Sequence, residues 1–197
     1  MTQARGAAIE FPVEGISDGS IRIRLRADSD TPAIVAACRD PEIPRWTRVP
    51  ESYDEEDARE WAAESERQQR AGEGLHLVIV DAASDELLGS IGIHAINDAD
   101  RRCQLGYWLD PAARGRGVMT RAVTLLSAWG FESLPVDRIE ITVQPSNTGS
   151  RAVAERAGYT FEGVLRSHTI IKGRRRDMAM YSLLRDEACN AGDSDRG

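Results

Sequence analysis

The segment from Tyr107 to Ala122 constrains the chain more than any other. An alternating run ends at Leu109-Asp110-Pro111, and Arg114-Gly115-Arg116-Gly117 then opens a pattern of helical period. A strand must therefore run into a glycine loop, and the loop into a helix. The first turn of a helix carries unpaired N–H groups and the positive end of the dipole. Gly115 and Gly117 let the backbone approach a ligand without a Cβ in the way. The combination predicts an anion cradle suited to a diphosphate. It is neither GxxxxGK[ST] nor a GxGxxG followed by a ribose-binding acid.

Around this segment, period and punctuation predict the rest. Ile21, Ile23 and Leu25 alternate with arginines as a half-buried strand. Thr31–Cys38 reads as a short helix stopped by Pro41 and Pro44. Ser52 with Glu55 has capping-box spacing ahead of a helix running to about Gln69, ended by Gly72 and Gly74. Leu75–Val80, Leu87–Ile96 and Arg102–Leu109 are joined by short polar links, as in an antiparallel meander. A helix follows from near Gly117, with Ala122, Leu125, Leu126, Trp129 and Gly130 on one face. Then come a strand at Arg138–Val143, a helix at Asn147–Ala157, and strands at Tyr159–Ser167 and Met178–Leu184 about a turn at 172–176. The reading is one α/β domain over 20–186, with a loosely patterned extension over 1–19 and a flexible tail over 187–197.

The 25 basic and 32 acidic residues give a net charge of −7, which disfavours a general nucleic-acid surface. The balance is uneven. Residues 1–100 carry 10 basic and 21 acidic side chains, and residues 101–197 carry 15 and 11, so a small anionic ligand suits the second half. The Lys-Gly-Arg-Arg-Arg run at 172–176 reads as a hairpin tip whose charge is local. No apolar run approaches a membrane span, and residues 1–14 lack the pattern of a secretory signal. Cys38, Cys103 and Cys189 fit neither a disulfide framework nor a metal site, and the three histidines are scattered. The expectation is a cytoplasmic protein without a metal.

Arg114-Gly115-Arg116-Gly117-Val118-Met119 resembles the [QR]xxGx[GA] loop of the GCN5-related (GNAT) N-acetyltransferases. The resemblance continues in order through Tyr53-x-x-Glu56-Asp57-Ala58-x-x-Trp61, Leu105–Leu109, Asn147-x-x-Ser150, Ala157-Gly158-Tyr159-x-x-Glu162-Gly163 and Asp177-x-x-x-Tyr181-x-Leu183-Leu184. This set is similar to the RimJ/RimL-like branch and covers about 20–185. It implies an α+β fold with a mostly antiparallel mixed sheet flanked by helices. The fourth strand, ending at Leu109, would splay from the fifth, Arg138–Val143. Acetyl-CoA would lie in the gap as cosubstrate, and an acetyl group would pass directly to a primary amine of a protein N-terminus or a small molecule. By the same resemblance Leu109, Asp110, Arg114, Gly115, Arg116, Gly117, Met119, Thr120, Asn147 and Ser150 fall at cofactor-binding positions.

Two departures bear on catalysis. Ala154 stands where many members have the tyrosine that protonates the leaving thiolate, so the resemblance passes that role to Ser150. Gln104 stands where the branch often has a glutamate base. Glu162, His168, His94 or water would have to replace it, unless the amine arrives neutral. An α-amine of pKa ~8 is neutral far more often at pH 7 than a lysine amine. Trp46, Tyr53, Gln104 and Tyr107 are the expected acceptor-side residues; the acids Glu51 and Asp54 to Asp57 read mostly as a solvated helix start complementing the dipole, with attraction of a cationic amine as the alternative. A homodimer is allowed by the sequence. A module that binds acyl-CoA without transferring it is the alternative reading.

Overall fold

An eight-stranded sheet organises the computed structural model, which describes residues 7–188. In chain order the strands are β1 (Ile16–Ser17), β2 (Ile21–Leu25), β3 (Leu75–Asp81), β4 (Leu87–Asn97), β5 (Arg102–Leu109), β6 (Arg138–Val143), β7 (Thr160–Ile171) and β8 (Arg174–Leu184). The helices are α1 (Thr31–Cys38), α2 (Glu42–Trp46), α3 (Glu55–Ala71), α4 (Val118–Ser133) and α5 (Thr148–Arg156). The sheet order is β1-β2-β3-β4-β5-β6-β8-β7. Every neighbouring pair is antiparallel except β5–β6, whose connection runs through α4.

Strand alternation divides the apolar residues between two layers. Leu75, Leu77, Ile79, Ile91, Ile93, Cys103, Leu105, Ile139 and Ile141 face α4 and α5 and meet Ala122, Leu126 and Trp129. Val78 and Val80 point the other way, into a smaller core with Ile34, Val35, Ile43, Tyr53 and Ala58 from α1–α3. Those three helices cover only part of their face. Beyond them, Gln104, Glu140 and Ser182 form a polar floor on β5, β6 and β8.

The strands at 75–80, 87–96, 102–109 and 138–143 fall where periodicity predicts them. Local chemistry corrects the reading elsewhere. The cap of α3 is Asp54 rather than Ser52: its side chain accepts from the Glu56 and Asp57 N–H groups, and Asp57 returns a bond to the Asp54 N–H. Pro41 and Pro44 do not leave an irregular stretch. They sit at the N-cap and in the first turn of α2, where amides lack helical partners anyway. The β7–β8 turn is only Lys172-Gly173, both at positive φ, so the strands run to Ile171 and Arg174. The N-terminal segment is not loose where it is described. Ile9 and Phe11 are buried, Phe11 packs edge-on against Trp129 with centroids 4.9 Å apart, and Ile16–Ser17 pairs with β2. Residues 185–188 form a helical turn, and the rest of the expected tail, with Cys189, lies outside the described residues.

Candidate active site

The site begins where β5 and β6 separate. Their parallel ladder pairs Arg102, Cys103 and Gln104 with Arg138, Ile139 and Glu140 and goes no further, although β5 continues to Leu109 and β6 to Val143. A gap therefore opens past Gln104 and Glu140, with unpaired strand backbone on both sides. This is the splay expected of the fourth and fifth strands, which the short β1 renumbers β5 and β6.

The glycine loop closes one end of this gap. Gly115 and Gly117 both have φ of 75°, and Gly117 is the N-cap of α4 with no side-chain cap. A Cβ at either glycine would meet no atom within 4 Å, so the backbone faces open space. The first-turn amides of α4 are thus free for an anionic oxygen. Met119 points into the core and leaves the loop unobstructed. Thr120 follows in the same turn, half-buried.

Three residues expected at cofactor-binding positions also hold the loop together. Arg114 donates to Asp40 Oδ1 at 2.6 Å and to the Leu109 carbonyl at 3.2 Å, fastening the loop to the end of α1. Asp110 takes the Ala112 N–H at 2.8 Å and gives its own N–H to Leu88 O, capping the 3-10 turn Pro111–Ala113. Leu109 is left with a carbonyl already engaged. Arg116, just before α4, lines a cleft of about 360 Å³ with Ser20, Asp81 and Arg121. Asn147 Oδ1 accepts the Ser150 N–H at 3.1 Å, capping α5 beside the gap.

Two hydroxyls meet on the α5 side. Ser150 Oγ lies 3.0 Å from the Tyr107 phenol, whose pKa burial pushes up to about 12 against the lowering effect of that bond. Tyr107 therefore stays a proton carrier at neutral pH. It does not face the acceptor floor as expected, because odd positions of β5 point towards α4 and α5. Ala154 is fully buried, so nothing protrudes from the usual tyrosine position. Tyr181 closes the cluster from below, accepting from Arg151 Nε and donating to Glu155 Oε1, both at 2.9 Å.

The opposite face carries a charged floor that motif matching misses. Gln104 Nε2 donates to Glu140 Oε2 at 3.2 Å, and buried Glu140 also holds Arg138 at 2.8 Å and Arg102 at 3.3 Å. The bond takes up the Gln104 amide nitrogen and orients the side chain across the β5–β6 ladder. His94 is opposite Gln104 in register, against Gly106. Burial first, then the His76 and Arg48 charges, hold its imidazole down at about 4. Its signal in the sequence is alternation: 94, 104 and 140 share one face.

Glu162 is not a free base. Arg138 clamps it with bonds of 2.7 and 2.6 Å, Ser182 donates to it at 2.7 Å, and the pair holds its carboxyl at about 2. His168 is exposed on β7 rather than on the floor. Trp46 stands at the end of α2, its Nε1 bonded to Glu42 and its ring under Arg45. Tyr53 is a core residue, its phenol pushed up by burial, and does not line the cleft. Of the acids at 51–57, Asp54 caps α3 and Glu55, Glu56 and Asp57 form its first turn. Among the described residues no three His, Cys, Asp or Glu side chains group as a metal ion would need.

Residues 21–160 match the acetyltransferase (GNAT) domain. The chain is 34% identical over 138 residues to "Probable N-acetyltransferase YjcK" of Bacillus subtilis, covering 70% of this chain and 76% of that one. It is 29% identical over 102 residues to the "Ribosomal-protein-serine acetyltransferase" of Escherichia coli, covering 52% and 57%. The solved structure of RimL, described as a ribosomal L7/L12 alpha-N-protein acetyltransferase in complex with coenzyme A, superposes with a TM-score of 0.77 at 23% identity. It covers 90% of this chain and 98% of that one.

Proposed function

The chain belongs to the GNAT acetyltransferase family, in its RimJ/RimL-like branch, and on that premise we propose how its residues carry acetyl transfer. It is an N-acetyltransferase that uses acetyl-CoA and a primary amine. The observation that carries the residue assignment is the gap between β5 and β6, which opens beside an uncapped glycine-led helix. The amides at Gly115, Gly117 and the first turn of α4 would hold the phosphates, a fit supported by the open space where Cβ atoms would lie. The freed β5 backbone would receive the pantetheine amides as an added strand. Acetyl-CoA supplies a thioester whose carbonyl carbon takes the amine and whose sulfur leaves.

Ser150 would give the departing sulfur its proton and take one back from water, with Tyr107 holding the serine hydroxyl. Gln104 Oε1, set by Glu140, would accept a hydrogen bond from the incoming amine. With Glu162 held at about 2 and His94 at about 4, neither side chain suits a base at neutral pH. The amine therefore arrives neutral and releases its proton to water. That favours an α-amine of pKa ~8, and so a protein N-terminus, over a lysine side chain. We assign the catalytic unit to residues 20–186 and its action to the cytoplasm.

Release of free thiol from acetyl-CoA tests this. The panel is a short peptide with a free α-amine, the same peptide blocked at that amine but carrying one lysine, and a polyamine. The free α-amine should react fastest at pH 7. Faster reaction of either other amine would overturn the α-amine reading. No release with any amine would favour the binding module.

A further inference from the structure

The arginines of the β7–β8 hairpin have no part in the chemistry above. Arg174, Arg175 and Arg176 are fully on the surface, as is Arg48 on the loop after α2. The floor arginines are taken, Arg138 by Glu162 and Glu140, and Arg102 by Glu140. Among the described residues, the ion pairs include none made by Arg48, Arg174, Arg175 or Arg176. These charges stand together. Arg48 donates to the Ile170 carbonyl at 3.2 Å and to Thr169 Oγ1 at 3.3 Å, and Ile170 and Thr169 are the register partners of Arg175 and Arg176. Lys172 Nζ donates to the Pro44 carbonyl at 2.6 Å, pinning the hairpin tip to α2. Even positions of β8 share the face of Ser182, which pairs with Glu140, so Arg174 and Arg176 stand on the acceptor side.

From this placement we propose that the acceptor is the N-terminus of an acidic polypeptide, gripped beyond its reacting amine by Arg48, Arg174 and Arg176. The inference rests on the α-amine reading and deepens it. It sets aside the alternative that acids near α3 draw in a cationic amine, since Asp54 caps that helix and Glu55, Glu56 and Asp57 form its first turn. Spacing locates the grip along the peptide. The gap opens past Gln104 and Glu140, and β6 runs on from Glu140 to Val143, which pairs with Ala179 on β8, so we take the reaction to lie level with that end of the β6–β8 ladder. At ~3.3 Å per residue, Arg176 is ~10 Å and Arg174 ~17 Å along the strand from Ala179. An extended peptide with its α-amine in the gap then brings residues at about positions 3 to 6 to the arginines. The overall charge of −7 opposes a long polyanion such as RNA, whereas a short acidic segment meets only this rim.

The test compares two eight-residue peptides with identical first two residues, one carrying Asp or Glu and the other Gln at positions 3 to 6. Thiol release is followed at low and high salt. The acidic peptide should have a kcat/KM about tenfold higher, with the advantage shrinking as salt screens it. Arg174→Gln with Arg176→Gln should remove the preference while leaving the rate on the neutral peptide unchanged. Arg174→Lys with Arg176→Lys should retain most of it. Equal rates on both peptides, or a preference that survives the glutamine pair, would overturn the inference while leaving α-amine transfer intact. Binding of a fluorescent RNA hairpin that is lost in the glutamine pair, with no peptide preference, would assign the rim to nucleic acid instead. If neither peptide releases thiol, binding of the N-acetylated peptides by anisotropy reads the same preference without turnover.

Discussion

At the scale of single residues, the departures from the family pattern explain one another. With Ala154 at the usual tyrosine position, the proposed proton donor is Ser150, and β5 brings it a partner from the side. Tyr107 reaches Ser150 Oγ at 3.0 Å, and its raised pKa keeps the phenol protonated. A donating phenol fixes the serine oxygen and leaves the serine proton free to point into the gap. Ser150→Ala should therefore lower kcat by ~10²-fold with little effect on acetyl-CoA binding. Tyr107→Phe should lower kcat by a smaller factor, and the double variant should be no slower than Ser150→Ala alone. The measurement is a double-mutant cycle on kcat, with Kd for acetyl-CoA in parallel. Multiplying losses would give Tyr107 a role independent of Ser150. The identity of Ser150 was readable from its motif, but its partner was not. The motif puts Tyr107 near the site, whereas strand alternation decides which face it serves. The same alternation applied to Gln104 would have led to Glu140 across the ladder.

At the scale of elements, long periodic segments were legible and their ends were not. The four middle strands and α4 carry enough apolar alternation or helical period to identify themselves. The ends are decided by side-chain competition. Ser52 and Asp54 are both good caps, and Asp54 wins because Asp57 answers it. Arg114, Asp110 and Leu109 illustrate the same limit in the site. A motif fixes where the loop is, but not which of its side chains are spent in holding its shape. The contacts proposed for the ligand there are backbone amides at Gly115, Gly117 and the start of α4. Acetyl-CoA should raise the thermal midpoint of the parent protein, because a ligand that binds only the folded state stabilises it. Gly117→Glu puts bulk and negative charge where the phosphates would lie, at a φ of 75° that also strains the side chain. That variant should show no acetyl-CoA-dependent shift, even at concentrations that saturate the parent. An undiminished shift, read by differential scanning fluorimetry, would move the phosphate site away from α4.

At the scale of the whole molecule, the sheet holds two layers that must keep a fixed relation for the gap to stay open to both substrates. α4 and α5 shape one side, and α1–α3 with the hairpin shape the other. The segment before β1 helps to join them. Ile9 exchanges backbone and side-chain bonds with Gln69 of α3, both 3.0 Å, while two residues later Phe11 is buried against Trp129 of α4. Ile9, Phe11 and Val13 alternate over too short a run to announce such a strap until the surfaces that receive Ile9 and Phe11 are known. Phe11 is a core residue packed on Trp129, so its loss should act on stability alone. Phe11→Ala removes a buried ring at the edge of the core and should cost about 3 kcal/mol. For a chain of this size that lowers the melting midpoint by roughly 6–12 °C. Well below the transition, kcat and both KM values should match the parent. Thermal denaturation with steady-state kinetics at 20 °C checks both halves. An unchanged midpoint would detach the strap from the core. A lowered kcat at full folding would mean that the strap also sets the distance between the two layers across the gap.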